Sequence, residues 1–504
     1  MIRVLTIVFA AMALMAAAPQ QAPAPEVKPP KPILLGADIV DLAQLSGDTA
    51  YLVFDLATGQ PLEAGNLDLP LPPASVAKAP TAIYALDRLG AGYRFETRLA
   101  TVGQITGGVL KGDLILQGGG DPELDSVGLD ALASELALSG IRQVEGRFLV
   151  DDSFYPPIER IDDTQPEVAS YNPSISALSL NFNRVYTEWR RATGGYDVRV
   201  EARADGMSPL TGAAVVEIVE DTASGGAFDY VDSSQVELWR VRRSALGKRG
   251  SRFLPIRRAA LYAGQVFRDL ARGHGVKLPR PEQGAAPTIS NVLARRESRS
   301  LTNISRDMLR YSTNLTAEAL GLAATRTGGL VPSNLAASAG AMNAWTSAFV
   351  GATPGDRGLA LVNHSGLSGS SRMTVRRMVE VLAAADLRGF PALNGGQATT
   401  LFALLKEIGV EEKDKPSPKH PYVIRAKTGT LNFTSALAGY IQTDKGRRLA
   451  FAIISADLAK RAAFNDPNVE SPTGSRTWGA VARNLQRTLL RSWIDRFGGP
   501  LAAE

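Results

Sequence analysis

The stretch LPPASVAKAPTAIYALDRLG, residues 71–90, sets Ser75 and Lys78 three apart at the head of an alanine-rich segment with helical spacing. A serine hydroxyl is a poor nucleophile until a base takes its proton. The i to i+3 spacing brings Lys78 to the same helix face as Ser75, which makes the lysine a candidate base. Alone, the pair is weak: a chain this long contains roughly one or two such spacings by chance. A serine near a helix start often caps it, and a lysine one turn on ordinarily reaches for water. Two further stretches strengthen the case. RYSTNLTAEAL holds Ser312, Thr313 and Asn314, and RAKTGTLN holds Lys427, Thr428 and Gly429 on a segment that reads as a strand. Burial beside a second cation, Lys427, would leave part of Lys78 neutral near neutral pH. The oxyanion of a tetrahedral intermediate needs two donors, which the backbone N–H groups of Ser75 and Thr430 can supply. Ser312 can relay a proton to a leaving amine. Asn314 can hold Lys78 and a substrate amide, while Lys427, Thr428 and Thr430 suit a terminal carboxylate. Gly429 has no side chain, which lets a substrate lie along the strand edge.

Particular elements must position these groups. DTAYLVFDLATGQPLEAG alternates into a strand, turns at Thr58-Gly59-Gln60 and starts back, a hairpin pattern that leads directly into the Ser75 helix. Pro80 falls inside that helix, where it is expected to remove a backbone hydrogen bond and kink the turn beyond Lys78. From about 96 to 255 the texture changes to short β-like runs with glycine-rich turns, read as inserted β-rich material. Helical periodicity returns in ALYAGQVFRDLARGHGV and in SLTNISRDMLRYSTNLTAEALGLAATRTGG, with Gly328 and Gly329 as the stop. VIRAKTGTLNFTSALAGYIQTDKGRRLAFAIISAD reads as adjacent antiparallel strands with Lys445-Gly446 in a turn. A last helix, about Trp478 to Phe497, carries Val481, Leu485, Leu489 and Trp493 as one stripe, expected to pack on the sheet. Its other face is basic, so peripheral contact with a membrane surface is the alternative.

Composition bounds the setting. One arginine, an apolar run of about fifteen residues and Ala16, Ala17 and Ala18 read as a secretory signal peptide over 1–18, followed by a Pro-rich tether over 19–32. The run is shorter than the roughly 20 residues a membrane span needs, and no later segment is long and apolar enough. The expectation is a periplasmic protein without a stable membrane span. Cysteine is absent, which excludes disulfides, thiol nucleophiles and iron–sulfur sites. The net charge of +5 is too small for a nucleic-acid footprint. The basic run WRVRRSALGKRGSRFLPIRR, residues 239–258, could meet an anionic polymer; the favoured reading is a solvated strand face with Trp239 and Val241 inward against Arg240 and Arg242. Gly118-Gly119-Gly120-Asp121 lacks the Lys-Ser/Thr of a phosphate loop and reads as a turn. His274, His364 and His420 show no metal-ligand spacing. His364 is expected in a loop near the cleft and the other two at the surface; no metal or cofactor is expected.

S-x-x-K, S-x-N and K-T-G in this order resemble the signature of the serine penicillin-recognising enzymes. Together with GDLILQGGGDPEL, SALSLNFN, STNLTAEAL, SGLS and AKTGTLNFTSALAGY, they make almost the whole mature chain similar to the class C low-molecular-mass penicillin-binding proteins, the D-alanyl-D-alanine carboxypeptidase/endopeptidases. The 237 positions from Ser75 to Ser312 leave room for the additional domains that distinguish that family. The resemblance implies an α/β (α+β) fold: a β-lactamase/transpeptidase-like domain of an antiparallel sheet with flanking helices, from residues 33–95 and 256–504. It carries two nested β-rich insertions, domain II over 96–185 and 238–255 and domain III over 186–237. It implies Ser75, Lys78, Ser312, Asn314 and Lys427 as catalytic and Thr428, Gly429 and Thr430 as substrate-binding, with peptidoglycan stem peptides and β-lactam antibiotics as partners. Three departures stand out: Asn363-His364 in place of the family's Asp-Gly before SGLS, Gly369 in place of a basic residue after it, with Arg372 as a substitute, and Thr313 in the middle of S-x-N. A β-lactamase needs fast deacylation, and no E-x-x-L-N string lies between Asn314 and Lys427. A non-catalytic cell-wall binder would carry a broken triad of motifs, and here all three are intact.

Overall fold

The computed structural model describes residues 34–498 except 222–225, 234–235, 288–290, 354–356, 391–398, 411–420 and 464–468. The expected signal peptide and tether, and His420, lie outside the described residues.

The two ends of the chain build one six-stranded antiparallel sheet in the order Lys406–Ile408, Tyr422–Leu431, Thr434–Thr443, Arg448–Ala456, Asp48–Asp55, Gln60–Gly65. Asp48–Asp55 and Arg448–Ala456 are buried almost throughout, as central strands covered on both faces must be. Gly59 and Gly446 take positive φ in the turns expected for them. On one face the helices Lys78–Leu89, Leu301–Tyr311, Asn314–Thr327, Leu335–Phe349 and Val375–Arg388 share a single apolar core with the sheet. On the other lies Ser475–Phe497. Its buried stripe is Trp478, Ala482, Leu485, Leu489 and Trp493, while Val481 is 37% exposed. A strict i+4 run slips about 40° per step at 3.6 residues per turn, which carries Val481 off the face. The mixed α/β architecture with an antiparallel sheet and flanking helices is the one expected.

The intervening chain forms a second sheet, ordered Pro281–Gln283, Phe148–Asp151, Val109–Gly118, Glu96–Thr106, Asn291–Glu297. The helices Ser126–Leu138 and Ala259–Gly273 pack on it through Leu129, Leu132, Phe148, Val150 and Phe267. The pairings therefore run past the expected boundary at 255: Asn291–Glu297 pairs with Glu96–Thr106, and Pro281–Gln283 with Phe148–Asp151. The expected inner boundary at 237 also cuts across paired strands, because Glu237–Arg242 pairs with Ala214–Val219 and Arg249–Pro255 with Arg184–Ala192. Alternation of apolar residues announces a strand and leaves its partner unstated. In the basic run Trp239 and Val241 are buried and Arg240 is exposed. Arg240 pairs with Glu217 at 3.0 Å and Arg243 with Glu220 at 2.9 Å, the solvated strand face expected.

Asp55 ends its strand with no exposed side-chain surface, and Arg447, only 13% exposed, grips it at 2.7 Å from the neighbouring turn. Removing one partner of such a pair strands the other charge and costs about 3–5 kcal/mol. Arg447→Met is accordingly expected to lower unfolding stability by about that amount, read as a fall in urea midpoint at unchanged slope.

Candidate active site

The turn that carries Ser75 is built under strain. Ala74 has φ +49°, in the left-handed region, and opens a 3₁₀ turn over Ala74–Ala77 that passes into the α-helix Lys78–Leu89. Pro80 lies in the first turn of that α-helix, where backbone N–H groups have no partner in the helix. The expected kink beyond Lys78 is absent and the helix runs on to Leu89. The long helical pattern of 300–329 is broken in two at Ser312, which has φ +61° and caps Leu301–Tyr311. Asn314 begins the next helix.

Lys78 is fully buried. Its Nζ donates to Ser75 Oγ at 2.9 Å, Asn314 Oδ1 at 2.8 Å and the Ser365 carbonyl at 2.7 Å. Burial, with Lys427 as a neighbouring cation, pulls Lys78 well below the usual lysine value, against the opposing pull of Glu318. Lys427 is 2% exposed; its Nζ donates to Ser312 Oγ at 2.9 Å and to the Thr428 carbonyl at 2.7 Å. Burial, with Lys406 nearby, brings it down to about 8. The structure thus forms two hydrogen-bonded groups, Lys78 with Ser75 and Asn314 and Lys427 with Ser312, whose lysines are close enough to act on each other electrostatically.

Thr428 and Thr430 are exposed on one face of Tyr422–Leu431. The edge strand Lys406–Ile408 pairs with Ile424 to Ala426, and among the described residues no strand pairs with the same edge from Lys427 to Leu431. An extended peptide can add there. Gly429 has a task besides the one expected. A Cβ there would lie 2.9 Å from the Pro73 carbonyl and 3.0 Å from the Ser75 nitrogen, so its missing side chain admits the nucleophile's own turn. Asn314 Nδ2 donates to the Tyr171 carbonyl at 2.8 Å, which uses one of its two N–H groups.

Ser75, Ser312, Asn314 and Thr430 open into a cavity of about 790 Å³ whose far wall includes Tyr171, Arg372 and Arg461. Arg372 binds the Gly369 and Ser371 carbonyls. Arg461, from the helix Leu458–Ala463, occupies the space a side chain at 369 would need: its Nη2 is 2.3 Å from where a Cβ would stand. A guanidinium from a distant helix thus stands beside the position after SGLS where the sequence has glycine, a placement without a sequence signal. Buried Asp162 lies close enough to raise Arg461 electrostatically, against the larger lowering by burial and Arg372.

His364 is not at the cleft. It is fully buried, its Nε2 2.8 Å from Ser338 Oγ and its ring set against Gly321, and burial takes its pKa to about 3. His274 is partly exposed beside Asp130. The residue that the motifs passed over is Glu318, fully buried four positions after Asn314 and thus on the same helix face. An acidic letter in an otherwise apolar helix was the available signal.

A serine beside a buried lysine, a second serine–lysine pair and an open strand edge define a class, the serine acyltransferases of the penicillin-recognising type. The chain belongs to the D-Ala-D-Ala carboxypeptidase 3 (S13) family, matched over residues 35–473. It is 29% identical over 456 residues to the D-alanyl-D-alanine carboxypeptidase of Actinomadura sp. (strain R39), covering 84% of this chain and 80% of that one. It is 27% identical over 496 residues to carboxypeptidase Rv3627c of Mycobacterium tuberculosis, covering 92% and 90%. Penicillin binding protein 4 of Haemophilus influenzae has the same fold, with a TM-score of 0.70 at 21% identity over 90% of this chain and 99% of that one. The protein is a serine-type D,D-peptidase, a D-Ala-D-Ala carboxypeptidase by family.

Gly429→Ala tests the close packing of strand and turn. The added methyl group must push the Pro73–Ser75 turn away, and catalytic displacements of about 1 Å cost on the order of 10²-fold. Acylation by a fluorescent penicillin is expected to fall by about that factor while circular dichroism stays as in the parent.

Proposed function

We propose that this chain acts outside the cytoplasm, as a periplasmic enzyme, to remove the terminal D-alanine of peptidoglycan stem peptides and to open D-Ala crosslinks, through an acyl-enzyme on Ser75. Lys78 takes the Ser75 proton and Oγ attacks the carbonyl of the penultimate D-alanine. The N–H groups of Ser75 and Thr430 receive the oxyanion. The C–N bond then breaks, Ser312 passes a proton to the departing amine, and water later hydrolyses the ester. Lys427, Thr428 and Thr430 hold the terminal carboxylate. The observation that carries this reading is the Lys78 Nζ to Ser75 Oγ contact of 2.9 Å in a site where the amine has no access to solvent. Further support for a stem peptide with side-chain carboxylate comes from the guanidinium groups of Arg372 and Arg461 on the cavity wall. A location outside the cytoplasm is supported by the apolar leader read from the sequence. Among the described residues no helix is long and apolar enough to cross a membrane. β-Lactams acylate the same serine in this reading, because their ring amide and carboxylate mimic the scissile bond and chain terminus.

Two measurements test the assignments. Intact-mass analysis with penicillin is expected to give one adduct that disappears in Ser75→Ala, and defined muropeptides are expected to lose terminal D-alanine with the parent only. Lys78→Ala is expected to slow acylation by on the order of 10²- to 10⁴-fold; an adduct persisting in Ser75→Ala would move the nucleophile elsewhere. The second is a pH profile. Acylation requires Lys78 neutral and Lys427 charged, so the rate rises as Lys78 loses its proton and falls again above about pH 8 as Lys427 loses its own. Lys427→Arg, which cannot discharge, is expected to retain part of the rate and to lose the alkaline fall.

A further inference from the structure

Glu318 has no exposed surface and makes no hydrogen bond to a cation among the described residues, an expensive way to keep a carboxylate. Its two oxygens are spent on one short piece of backbone. Oε2 accepts the His364 N–H at 2.9 Å and Oε1 the Ser365 N–H at 2.8 Å. The carbonyl of that same Ser365 is the acceptor 2.7 Å from Lys78 Nζ. The loop is held from two more directions: Thr81 Oγ1 donates to the His364 carbonyl at 2.7 Å, and Gly366 N–H donates to Asn363 Oδ1 at 3.1 Å. The Glu318 carboxyl on one side of the residue and the Lys78 amine on the other thus clamp Ser365; burial pushes the Glu318 carboxyl up, while its hydrogen bonds from His364 and Ser365 and the neighbouring Lys78 favour its charged form.

We infer that Glu318 is a positioning residue of the acyl-transfer site: it fixes the Ser365 carbonyl against Lys78 and supplies the buried negative charge that offsets Lys427. The inference rests on Lys78 being the base. An ammonium donates three hydrogen bonds, and Ser75, Asn314 and Ser365 accept all three. The neutral amine donates two and offers a lone pair. If Asn314 and Ser365 hold their places, the lone pair is directed at the Ser75 hydroxyl. A Ser365 carbonyl free to move would let the amine rotate and point it elsewhere. The charge acts separately from this geometry. The charged groups facing Lys78 are Glu318, from the helix Asn314–Thr327, and Lys427, from the strand Tyr422–Leu431, and they pull its protonation in opposite directions. His364, in the loop between, is held neutral by burial. Without Glu318 the positive neighbour acts unopposed, and Lys78 releases its proton at lower pH.

The test is the pH dependence of acylation by a chromogenic β-lactam in Glu318→Gln and Glu318→Asp, each checked for folding by circular dichroism. Gln keeps the size and removes the charge, so the acid limb is expected to move to lower pH by at least about one unit, with a lower plateau. Asp keeps the charge but withdraws from the 364–365 amides. Its acid limb is expected to stay with the parent while the plateau falls at least about tenfold. A folded Glu318→Gln whose acid limb superimposes on the parent's overturns the inference, since loss of a merely structural contact lowers rate or stability without moving the limb. Should the Gln variant not fold, the Asp variant decides: a parent-like plateau overturns the proposal, and a plateau at least about tenfold lower at an unmoved limb and an unchanged urea midpoint upholds it, because a merely structural contact would lower the midpoint together with the rate. Parent-like acylation by Lys78→Ala would instead remove the base on which the inference rests, a result distinct from any outcome at Glu318.

Discussion

A lysine withdrawn wholly from water keeps its ammonium only where every N–H meets an acceptor, and the architecture around Lys78 follows from that requirement. Its acceptors belong to three segments far apart in the chain: the turn of Ser75, the start of the helix at Asn314 and the loop at Ser365. The antiparallel sheet joins the two chain ends, and the helices packed on one face bring these segments to a common point. Opposite them, the second buried cation at Lys427 makes the ammonium form of Lys78 costly. Acceptors hold the amine in place while the neighbouring charge discourages its proton. A lysine meant to give up its proton while staying in place needs both.

The backbone around this point is held in conformations a free chain avoids. Ala74 at φ +49° and Ser312 at φ +61° each cost of the order of 1–3 kcal/mol. At Ala74 the neighbouring backbones pack close on the turn. A Cβ on Gly366 would stand 2.0 Å from the Ala74 carbonyl, and one on Gly429 2.9 Å from that of Pro73. The nucleophile's turn is thus pressed between two backbones at positions where only glycine fits. Such packing allows little reorganisation when charge develops on the oxyanion, which is the condition for electrostatic stabilisation to be effective.

What was legible in the sequence is what is local. Ser75 with Lys78, Ser312 with Asn314, and Lys427 with Gly429 each lie within one element or one turn, so their spacing is written in the chain. Glu318 was half legible: its i+4 relation to Asn314 gave the face, while its partners are backbone amides that no letter marks. Arg461 was illegible, because nothing in DLAKRAAF connects it to Gly369 nearly a hundred positions earlier. The departure at Asn363-His364 becomes intelligible only in three dimensions. The His364 ring fills the space left by Gly321, and the Asn363 side chain ties the turn at Gly366. The edges of the inserted material escaped for the same reason, since alternation identifies a strand but pairing is decided by contacts across the chain.

The carbonyl of Tyr171 connects that inserted material to the base. An asparagine amide has one accepting and one donating end, and the Lys78 ammonium can use only the first. Tyr171 receives the donating end of Asn314, which forces Oδ1 toward Lys78. Were that carbonyl to withdraw, the amide could turn and set N–H against N–H. Tyr171 is 40% exposed and lines the cavity that opens from Ser75. In the proposed reading, a stem peptide resting on this wall touches the residue whose backbone carbonyl orients Asn314 toward Lys78. The inserted region, although it holds none of the side chains proposed to react, thus reaches the proposed base through Asn314.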